Sequence, residues 1–426
     1  MLKIDDIHEI EITGYGSDGE GVGRVDGIPV FVPFVANKEI VEVRITHARK
    51  TFARGELVRI IQASEDRRAP ECEYFGVCGG CALSHISYDA QLEAKRERLL
   101  QCLMRIGKQT IGDIEVFGMY SSIRYRNKGV FPLGVLDGRA KFGMYSARSH
   151  ALVALEDCLL QKPEVGRILR VLEGYISSRG VPVKNVLSAV VRSTAGGDFG
   201  VILNMKEAKL PDAYGLLAML RAEVRGVAYL CITDENEEAT AGEDYLTEDI
   251  CGLSFRVSPS SFLQVNPYMT DILYQKILDF ANISRTDKVL DAYCGIGTIS
   301  LLMAKRALYV YGVESLLGAV EDARHNALAN GIDNVEFICC EAHEAAALEG
   351  INVVVLDPPR KGLSPEMTEK LKTSGVDKIV YVSCDPATLA RDVGILASAF
   401  KPKRVAMFDN FAQTAHLEAV VLMERI

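Results

Sequence analysis

The fold of this chain is decided by the stretch Asp291-Ala292-Tyr293-Cys294-Gly295-Ile296-Gly297-Thr298. It follows a short apolar segment, residues 288–291, and opens a segment of helical periodicity, residues 299–305. Glycines in a turn from a strand into a helix let the backbone approach a ligand closely. From Ser261 to the end of the chain, strand-like and helix-like segments alternate. This alternation predicts an α/β domain with a doubly wound, mostly parallel sheet, whose ligand crevice lies at the carboxyl ends of the strands.

Three residues indicate which ligand occupies that crevice. Ser300 stands where a dinucleotide-binding turn has its third glycine, which argues against a pyrophosphate. Glu314 ends the next strand, where an acid can accept hydrogen bonds from both ribose hydroxyls, although it could also simply end the strand. Asp357 begins Asp-Pro-Pro-Arg, whose prolines would hold it at the crevice mouth unless the tetrad is only a turn. Together they favour an adenosine ligand without phosphates, such as S-adenosylmethionine.

A second motif, Val382-Ser383-Cys384-Asp385-Pro386, places one cysteine where an apolar strand gives way to a helix. Asp385 is the expected N-cap and Pro386 the expected first helical residue, so Cys384 faces the positive end of a helix dipole. We expect this position to favour the thiolate. A thiolate beside a nucleotide turn indicates a covalent nucleophile, whereas a lone cysteine is more often a small buried apolar side chain.

Methylation of uracil at carbon 5 needs a thiolate, a base and a methyl donor. The thiolate adds to carbon 6 and makes carbon 5 nucleophilic; after methyl transfer, a base removes the carbon 5 proton and the cysteine leaves. Glu418, just before the last predicted strand, is the candidate base, the alternative being a polar residue at a strand edge. The target nucleotide must be unstacked, because the thiolate approaches the ring from its face.

The first 260 residues divide into two further predicted domains. Residues 1–62 alternate apolar and polar positions between glycine-rich turns, which is typical of a small OB-like β-barrel of about five strands. Residues 63–260 predict an α+β domain with one helix near 163–179 and another over 88–107, which we expect to pack on the catalytic domain, residues 261–426.

Three of the eleven cysteines form a C-x5-C-x2-C motif: Cys72, Cys78 and Cys81. Nearby glycines would let the backbone wrap an inorganic centre. Four thiolates would suit either a four-iron cluster or zinc, so a fourth ligand is expected elsewhere in the chain.

These motifs resemble those of the RNA uracil-5 methyltransferases that carry a TRAM domain and an iron–sulfur cluster, specifically the 23S ribosomal RNA branch. The resemblance covers essentially the whole chain and preserves the order of the motifs, including Ser261-Phe262-Leu263-Gln264-Val265-Asn266 and Gln413-Thr414-x-His416-x-Glu418. It implies a class I methyltransferase sheet behind a TRAM barrel and an iron–sulfur domain, and 5-methyluridine as the product.

The resemblance also implies roles for individual residues. Cys384 would be the nucleophile and Glu418 the general base. The S-adenosylmethionine site would include the following residues: Gln264, Tyr293, Gly295, Gly297, Thr298, Glu314 and Asp357. Thr298 stands where the family often has asparagine, and Ala412 replaces the family's usual proline. The [4Fe–4S] ligands would be Cys72, Cys78, Cys81 and Cys158.

RNA is the expected partner, although the net charge of −9 does not by itself indicate one. Residues 121–148 are locally basic, and Tyr125 adds a stacking ring among their cations: Arg124, Arg126, Lys128, Arg139, Lys141 and Arg148. We expect RNA contact there, a solvated charged face being the alternative.

Other functional classes are disfavoured. No apolar segment reaches the ~20 residues of a membrane span, and the first residues lack a signal peptide's pattern, so we expect a cytoplasmic protein with no membrane contact and no evident protein partner. The alternatives that stay open are a tRNA substrate and a non-catalytic iron–sulfur RNA-binding assembly factor. The presence of Cys384, Glu418 and Asp357 together argues against the second.

Overall fold

The computed structural model describes residues 2–147, 149, 151–345 and 349–426. The chain forms two compact units. The first comprises Met1–Leu99, Met144–Val153 and Phe411–Leu417, and the second comprises Leu100–Gly143, Ala154–Asn410 and Glu418–Ile426. This division differs from the three predicted sequence domains, since a short segment near the C-terminus belongs with the N-terminal residues.

The first unit contains a small barrel-like sheet with strand order β1-β5-β6-β4-β3-β2. Its strands are β1 Ile7–Glu11, β2 Gly14–Tyr15, β3 Gly21–Val25, β4 Ile28–Val32, β5 Ile40–Ala48 and β6 Ala53–Gln62. The alternate residues Val41, Val43 and Ile45 are fully buried, as expected for a sheet with one face on a core. Gly23 of β3 lies directly against the backbone of Glu11 in β1, so the sheet curls back on itself. One long helix, α1 (Tyr88–Arg105), follows, close to the predicted bounds.

A seven-stranded sheet has the strand order β10-β9-β8-β11-β12-β13-β14. After β7 (Ile114–Phe117), which belongs to another sheet, its elements are β8 Lys128–Leu136, β9 Arg139–Tyr145, β10 Leu152–Ala154, α2 Pro163–Ser178, β11 Val186–Ser193, β12 Phe199–Met205, α3 Ala213–Glu223, β13 Val227–Thr233 and β14 Glu238–Gly242. The predicted α+β character is confirmed. The sequence predicted helix α2 but not helix α3. Helix α3 is short, and its clearest signal is the Asp212 side chain, which accepts a hydrogen bond from the Gly215 amide.

The hairpin β15 (Leu246–Ile250) and β16 (Leu253–Val257) leads into an eight-stranded sheet. That sheet has the order β19-β18-β17-β20-β21-β23-β22-β7. Its remaining elements are α4 Pro267–Ala281, β17 Lys288–Ala292, α5 Thr298–Ala304, β18 Tyr309–Glu314, α6 Leu317–Ala329, β19 Val335–Cys339, β20 Val353–Leu356, α7 Pro365–Thr373, β21 Lys378–Ser383, α8 Pro386–Leu396, β22 Phe400–Phe408 and β23 Glu418–Arg425. Strands β17 to β21 are parallel, and β23 runs antiparallel to β21 and β22. The predicted doubly wound, mostly parallel sheet is confirmed.

Two elements of this sheet region differ from the sequence prediction. Helix α4 was not expected, although the pair Asn266-Pro267 supplies the cap and the first helical residue, and the exposed Asp271, Gln275 and Asp279 recur every four residues. Strand β7 lies in the predicted central domain, yet it pairs in parallel with β22 at the edge of this sheet.

Among the described residues, no helix has the length and apolar character needed to cross a bilayer.

Candidate active site

Cys384 lies at the carboxyl end of β21, at the first turn of α8. The Asp385 side chain caps this helix, accepting hydrogen bonds from the amides of Ala387 (3.0 Å) and Thr388 (2.8 Å), and Pro386 occupies the first helical position. The predicted strand-to-helix turn is therefore confirmed. It leaves the Cys384 side chain only partly exposed at the crevice edge.

The pKa of the Cys384 thiol does not agree with the expected thiolate. Burial raises the pKa of Cys384 to about 11, and the charges of Glu418 and Asp357 also raise it. Arg360 lowers it through its charge and a hydrogen bond. A helix terminus stabilises a nearby anion by about 1 kcal/mol or less at most surface sites, which is too little to offset desolvation and two carboxylates.

Glu418 lies beside Cys384 because of strand register. Ser383 of β21 pairs with Ala419 of β23. Because the two strands run antiparallel, Cys384, which follows Ser383, lies opposite Glu418, which precedes Ala419. Glu418 is 2% exposed. Burial raises its pKa well above the usual carboxyl value, Asp357 raises it further, and Arg360 lowers it. A carboxylate with a raised pKa suits proton abstraction near neutral pH.

Arg360 is the residue whose importance sequence reasoning missed. Its guanidinium acts on the pKa of both Cys384 and Glu418. The available signal was its place directly after Asp357-Pro358-Pro359 at the carboxyl end of β20, the strand next to β21. There its charge lowers the pKa of Glu418.

The turn after β17 forms the candidate nucleoside site. Tyr293, Gly295 and Gly297 all have positive φ, at 73°, 55° and 81°. A Cβ at Gly295 would meet no atom within 4 Å, so its backbone borders open space. Glu314 ends β18 and accepts hydrogen bonds from the amides of Gly295 (3.2 Å) and Leu316 (2.9 Å), which fixes its carboxylate beside the turn.

The remaining predicted cofactor residues have distinct environments. Gln264 is buried, and its carbonyl accepts a hydrogen bond from the Asn127 side chain at 2.9 Å. The Thr298 hydroxyl donates to Tyr274 in α4 at 3.2 Å, so it already has a protein partner. Burial raises the pKa of Asp357 at the end of β20.

The crevice fits S-adenosylmethionine on the chemistry of its buried groups. Asp291 is 1% exposed; its Oδ2 accepts from Ser300 at 2.5 Å, while its Oδ1 has no partner among the described residues. Burial raises the pKa of Asp291 to about 7. The unpaired Asp291 Oδ1 and the Glu314 carboxylate are both hydrogen-bond acceptors beside an open glycine turn. The donors of an adenosine moiety and of a cationic amino acid tail can satisfy such acceptors.

In the basic segment, residues 121–148, some cations are paired within the protein and others can contact RNA. Arg124 forms an ion pair with Asp157 and donates to the carbonyls of Cys158 (3.1 Å) and Gln161 (2.8 Å), so its charge is used within the protein. Burial and the charge of Arg192 lower the pKa of Lys128 to about 8. Arg148 lies outside the described residues.

Three of the predicted cluster ligands, Cys72, Cys78 and Cys81, lie in the first unit, and Cys158 lies in the second. The Gly80 amide donates to the Cys78 sulfur at 3.4 Å, and the pKa of Cys78 is raised mainly by burial and also by the charge of Cys72. Within the described parts of the chain, however, no three or more His, Cys, Asp or Glu side chains come together as a metal site.

Comparisons with known proteins agree with this geometry. Residues 87–426 match the family described as tRNA (Uracil-5-)-methyltransferase, and residues 6–58 match the TRAM domain. An uncharacterized RNA methyltransferase of Clostridium tetani is 37% identical over 447 residues, covering 99% of this chain and 97% of the relative. Another, from Caldanaerobacter subterraneus, is 38% identical over 450 residues, covering 100% and 99%.

A solved structure is similar over nearly the full length. The Pyrococcus abyssi tRNA (uracil-54, C5)-methyltransferase, in complex with S-adenosyl-L-homocysteine, is 26% identical with a TM-score of 0.79. The alignment covers 97% of this chain and 99% of that one.

Proposed function

The chain belongs to the tRNA (uracil-5-)-methyltransferase family, whose members are S-adenosylmethionine-dependent RNA methyltransferases, and we propose that it makes 5-methyluridine in 23S ribosomal RNA through a covalent adduct of Cys384. The observation that carries the covalent chemistry is the strand register that sets Cys384 beside Glu418. One side chain can thus attack the ring while the other takes the proton from the adjacent carbon.

The reaction begins when the partly exposed thiol of Cys384 loses its proton to solvent water. Arg360 assists, because its charge and its hydrogen bond lower the pKa of this thiol. The sulfur then bonds to carbon 6, and the carbon 5–carbon 6 π electrons move into an enolate that makes carbon 5 nucleophilic. S-adenosylmethionine supplies the methyl group, and its transfer to carbon 5 leaves S-adenosylhomocysteine.

Glu418 completes the reaction. Its carboxylate removes the proton from carbon 5, the C–H electrons form the carbon 5–carbon 6 double bond, and the carbon 6–sulfur bond breaks to release the Cys384 thiolate. The raised pKa of Glu418 supports this role, since a stronger base abstracts a carbon-bound proton more readily. Asp357 contributes by raising that pKa.

The choice of 23S ribosomal RNA rests on the resemblance of the whole motif set to that branch of the family. The competing substrate is tRNA, favoured by the name of the Pyrococcus abyssi neighbour, which acts on uracil 54 of tRNA. The TRAM domain over residues 6–58 is compatible with either RNA.

The deciding experiment is methyl transfer from S-adenosylmethionine by anaerobically purified protein to unmodified 23S ribosomal RNA and, separately, to unmodified tRNA, with mapping of any 5-methyluridine. Product in 23S RNA alone supports the proposal, and product in tRNA alone replaces the substrate while keeping the chemistry. With Cys384→Ala we expect no methyl transfer but unchanged RNA affinity; transfer that survives would refute the covalent step. No product with either RNA would favour a non-catalytic RNA-binding role.

We also propose that Cys72, Cys78, Cys81 and Cys158 hold a [4Fe–4S] cluster. The motif spacing and the Gly80 amide directed at the Cys78 sulfur support it. Anaerobic protein should contain roughly four iron and four acid-labile sulfide per chain. Stoichiometric zinc without sulfide would replace the cluster by a zinc site.

A further inference from the structure

The loop that precedes Glu418 has an unusual place in the chain. The flanking strands β22 and β23 belong to the second compact unit, but Phe411–Leu417 belongs to the first. The peptide bond from Leu417 to Glu418 therefore joins a segment held by the first unit directly to the first residue of β23. Whatever fixes this loop also limits where the chain can enter that strand.

Gln413 is held through both its backbone and its side chain. Its amide donates to Gln91 Oε1 at 2.9 Å, and Gln91 Nε2 donates to Gln413 Oε1 at 3.1 Å. Its carbonyl accepts from the amides of Ala82 and Leu83, both at 2.9 Å. Gln413 has a φ of +68°, which is unfavourable for a residue with a side chain and persists only where surrounding contacts enforce it.

Two further residues of α1 hold the loop by its carbonyl groups. Lys95 is 1% exposed and donates from Nζ to the carbonyl of Phe411 at 3.1 Å. Arg98 donates to the carbonyl of Ala415 at 2.9 Å. Positions 91, 95 and 98 are spaced four and three apart, so they share one face of the helix. A fully buried lysine is rare because desolvating its charge is costly, and here it is directed at a backbone oxygen of the loop.

The barrel also contacts the loop closely. A Cβ on Gly19 would lie 3.1 Å from the Ala82 side chain and 3.3 Å from that of Ala415, and its φ of +87° favours glycine. The loop is therefore confined between this turn, the segment after Cys81 and one face of α1.

We propose that Gln91 and Lys95 are positioning residues for the general base: by fixing loop 411–417 they set the approach of the Glu418 carboxylate to carbon 5. This inference rests on the proposed function. Proton removal depends on sub-ångström placement of the carboxylate, whereas attack by Cys384 depends on β21 and α8, which are not part of the loop. Loosening the loop should therefore slow the last step selectively.

The test uses the full-length holoprotein, labelled substrate RNA and the variants Lys95→Met and Gln91→Leu. Each removes donors to the loop while keeping a side chain of similar length or bulk. Arg105→Met, at the exposed end of the same helix, is the matched control. Turnover, KM for RNA and the amount of covalent RNA–protein adduct that survives denaturing electrophoresis are measured together.

We expect kcat to fall about 10- to 100-fold with KM unchanged, because misplacement of a catalytic group by about 1 Å can cost that much. In these variants, methylated adduct should accumulate in an initial burst to about one per enzyme molecule. Glu418→Gln, which lacks the base itself, should accumulate this adduct more strongly. The Arg105→Met control should turn over like the wild type without adduct.

A fall in kcat without accumulated adduct, or unchanged turnover, would overturn the inference. Measurements of thermal unfolding and RNA affinity identify a variant that is misfolded. If Lys95→Met is misfolded, the result with Gln91→Leu decides the question. If Glu418→Gln traps adduct and both loop variants do not, only the positioning role fails. If neither wild type nor Glu418→Gln ever forms adduct, the proposed function fails.

Discussion

At the scale of single residues, the reactivity of Cys384 is a balance between opposing neighbours. Burial and the carboxylates of Glu418 and Asp357 raise its pKa to about 11, and Arg360 lowers it. The thiol is therefore protonated near neutral pH, and the same Arg360 also lowers the pKa of Glu418. The pKa of this thiol thus depends on charges from two strand ends, Asp357 and Arg360 after β20 and Glu418 at the start of β23.

Removing the charge of Arg360 and removing the charge of Glu418 should shift the pKa of Cys384 in opposite directions. Arg360→Gln should raise it, so adduct formation needs a higher pH; Glu418→Gln should lower it, so adduct forms at a lower pH but is not resolved. The measurement is the rate of adduct formation in a single turnover between pH 7 and pH 11, with Lys361→Gln as the control. Shifts in the same direction for Arg360→Gln and Glu418→Gln would contradict this account.

At the scale of elements, the turn from β21 into α8 holds Cys384 in place. Asp385 satisfies two amides that have no partner within the helix, and Pro386 needs none. The motif is local in sequence, which is why its helix was predicted correctly. The same kind of signal, Asn266-Pro267, starts α4, a helix that was not predicted although it has one exposed polar face.

Removing the cap should loosen the first turn of α8. Asp385→Ala should cost about 1 kcal/mol of local stability and speed hydrogen–deuterium exchange of the Ala387 and Thr388 amides. Asp385→Asn, which can still accept these hydrogen bonds, should retain most of the protection. Equal exchange in the two variants would show that the cap does not stabilise this turn.

At the scale of the whole molecule, an acidic chain must bind an anionic RNA through local groups of cations. Arg124 cannot serve freely, because its charge is paired with Asp157. Lys128 is a better candidate, and its pKa of about 8, lowered by burial and by Arg192, makes its charge sensitive to pH. It is mostly charged at pH 7 and mostly neutral at pH 9.

RNA affinity should therefore fall as the pH rises from 7 to 9. Lys128→Arg should bind equally well at both values, since its guanidinium stays charged, and Lys128→Gln should bind weakly at both. Fluorescence anisotropy with the substrate RNA at fixed salt is the measurement. Lys209→Gln, at a highly exposed lysine, is the charge-matched control. An identical pH dependence in Lys128→Arg and wild type would exclude this residue.

What the sequence by itself determined are the features that depend on neighbours within a few residues. The glycine turn after β17, the Asp385 cap and the alternation of strand and helix follow from backbone geometry and local periodicity. The chain order of the motifs was likewise enough to indicate the family.

Only the tertiary structure decided the features that depend on residues far apart in the chain. The direction of the Cys384 pKa, the role of Arg360, the pairing of Arg124 with Asp157, the place of β7 beside β22 and the pairing of Gln91 with Gln413 all belong to this class. The physical reason is that burial and charge act through space: a carboxylate or cation that is distant in sequence alters a pKa as soon as folding brings it close and removes the water between them.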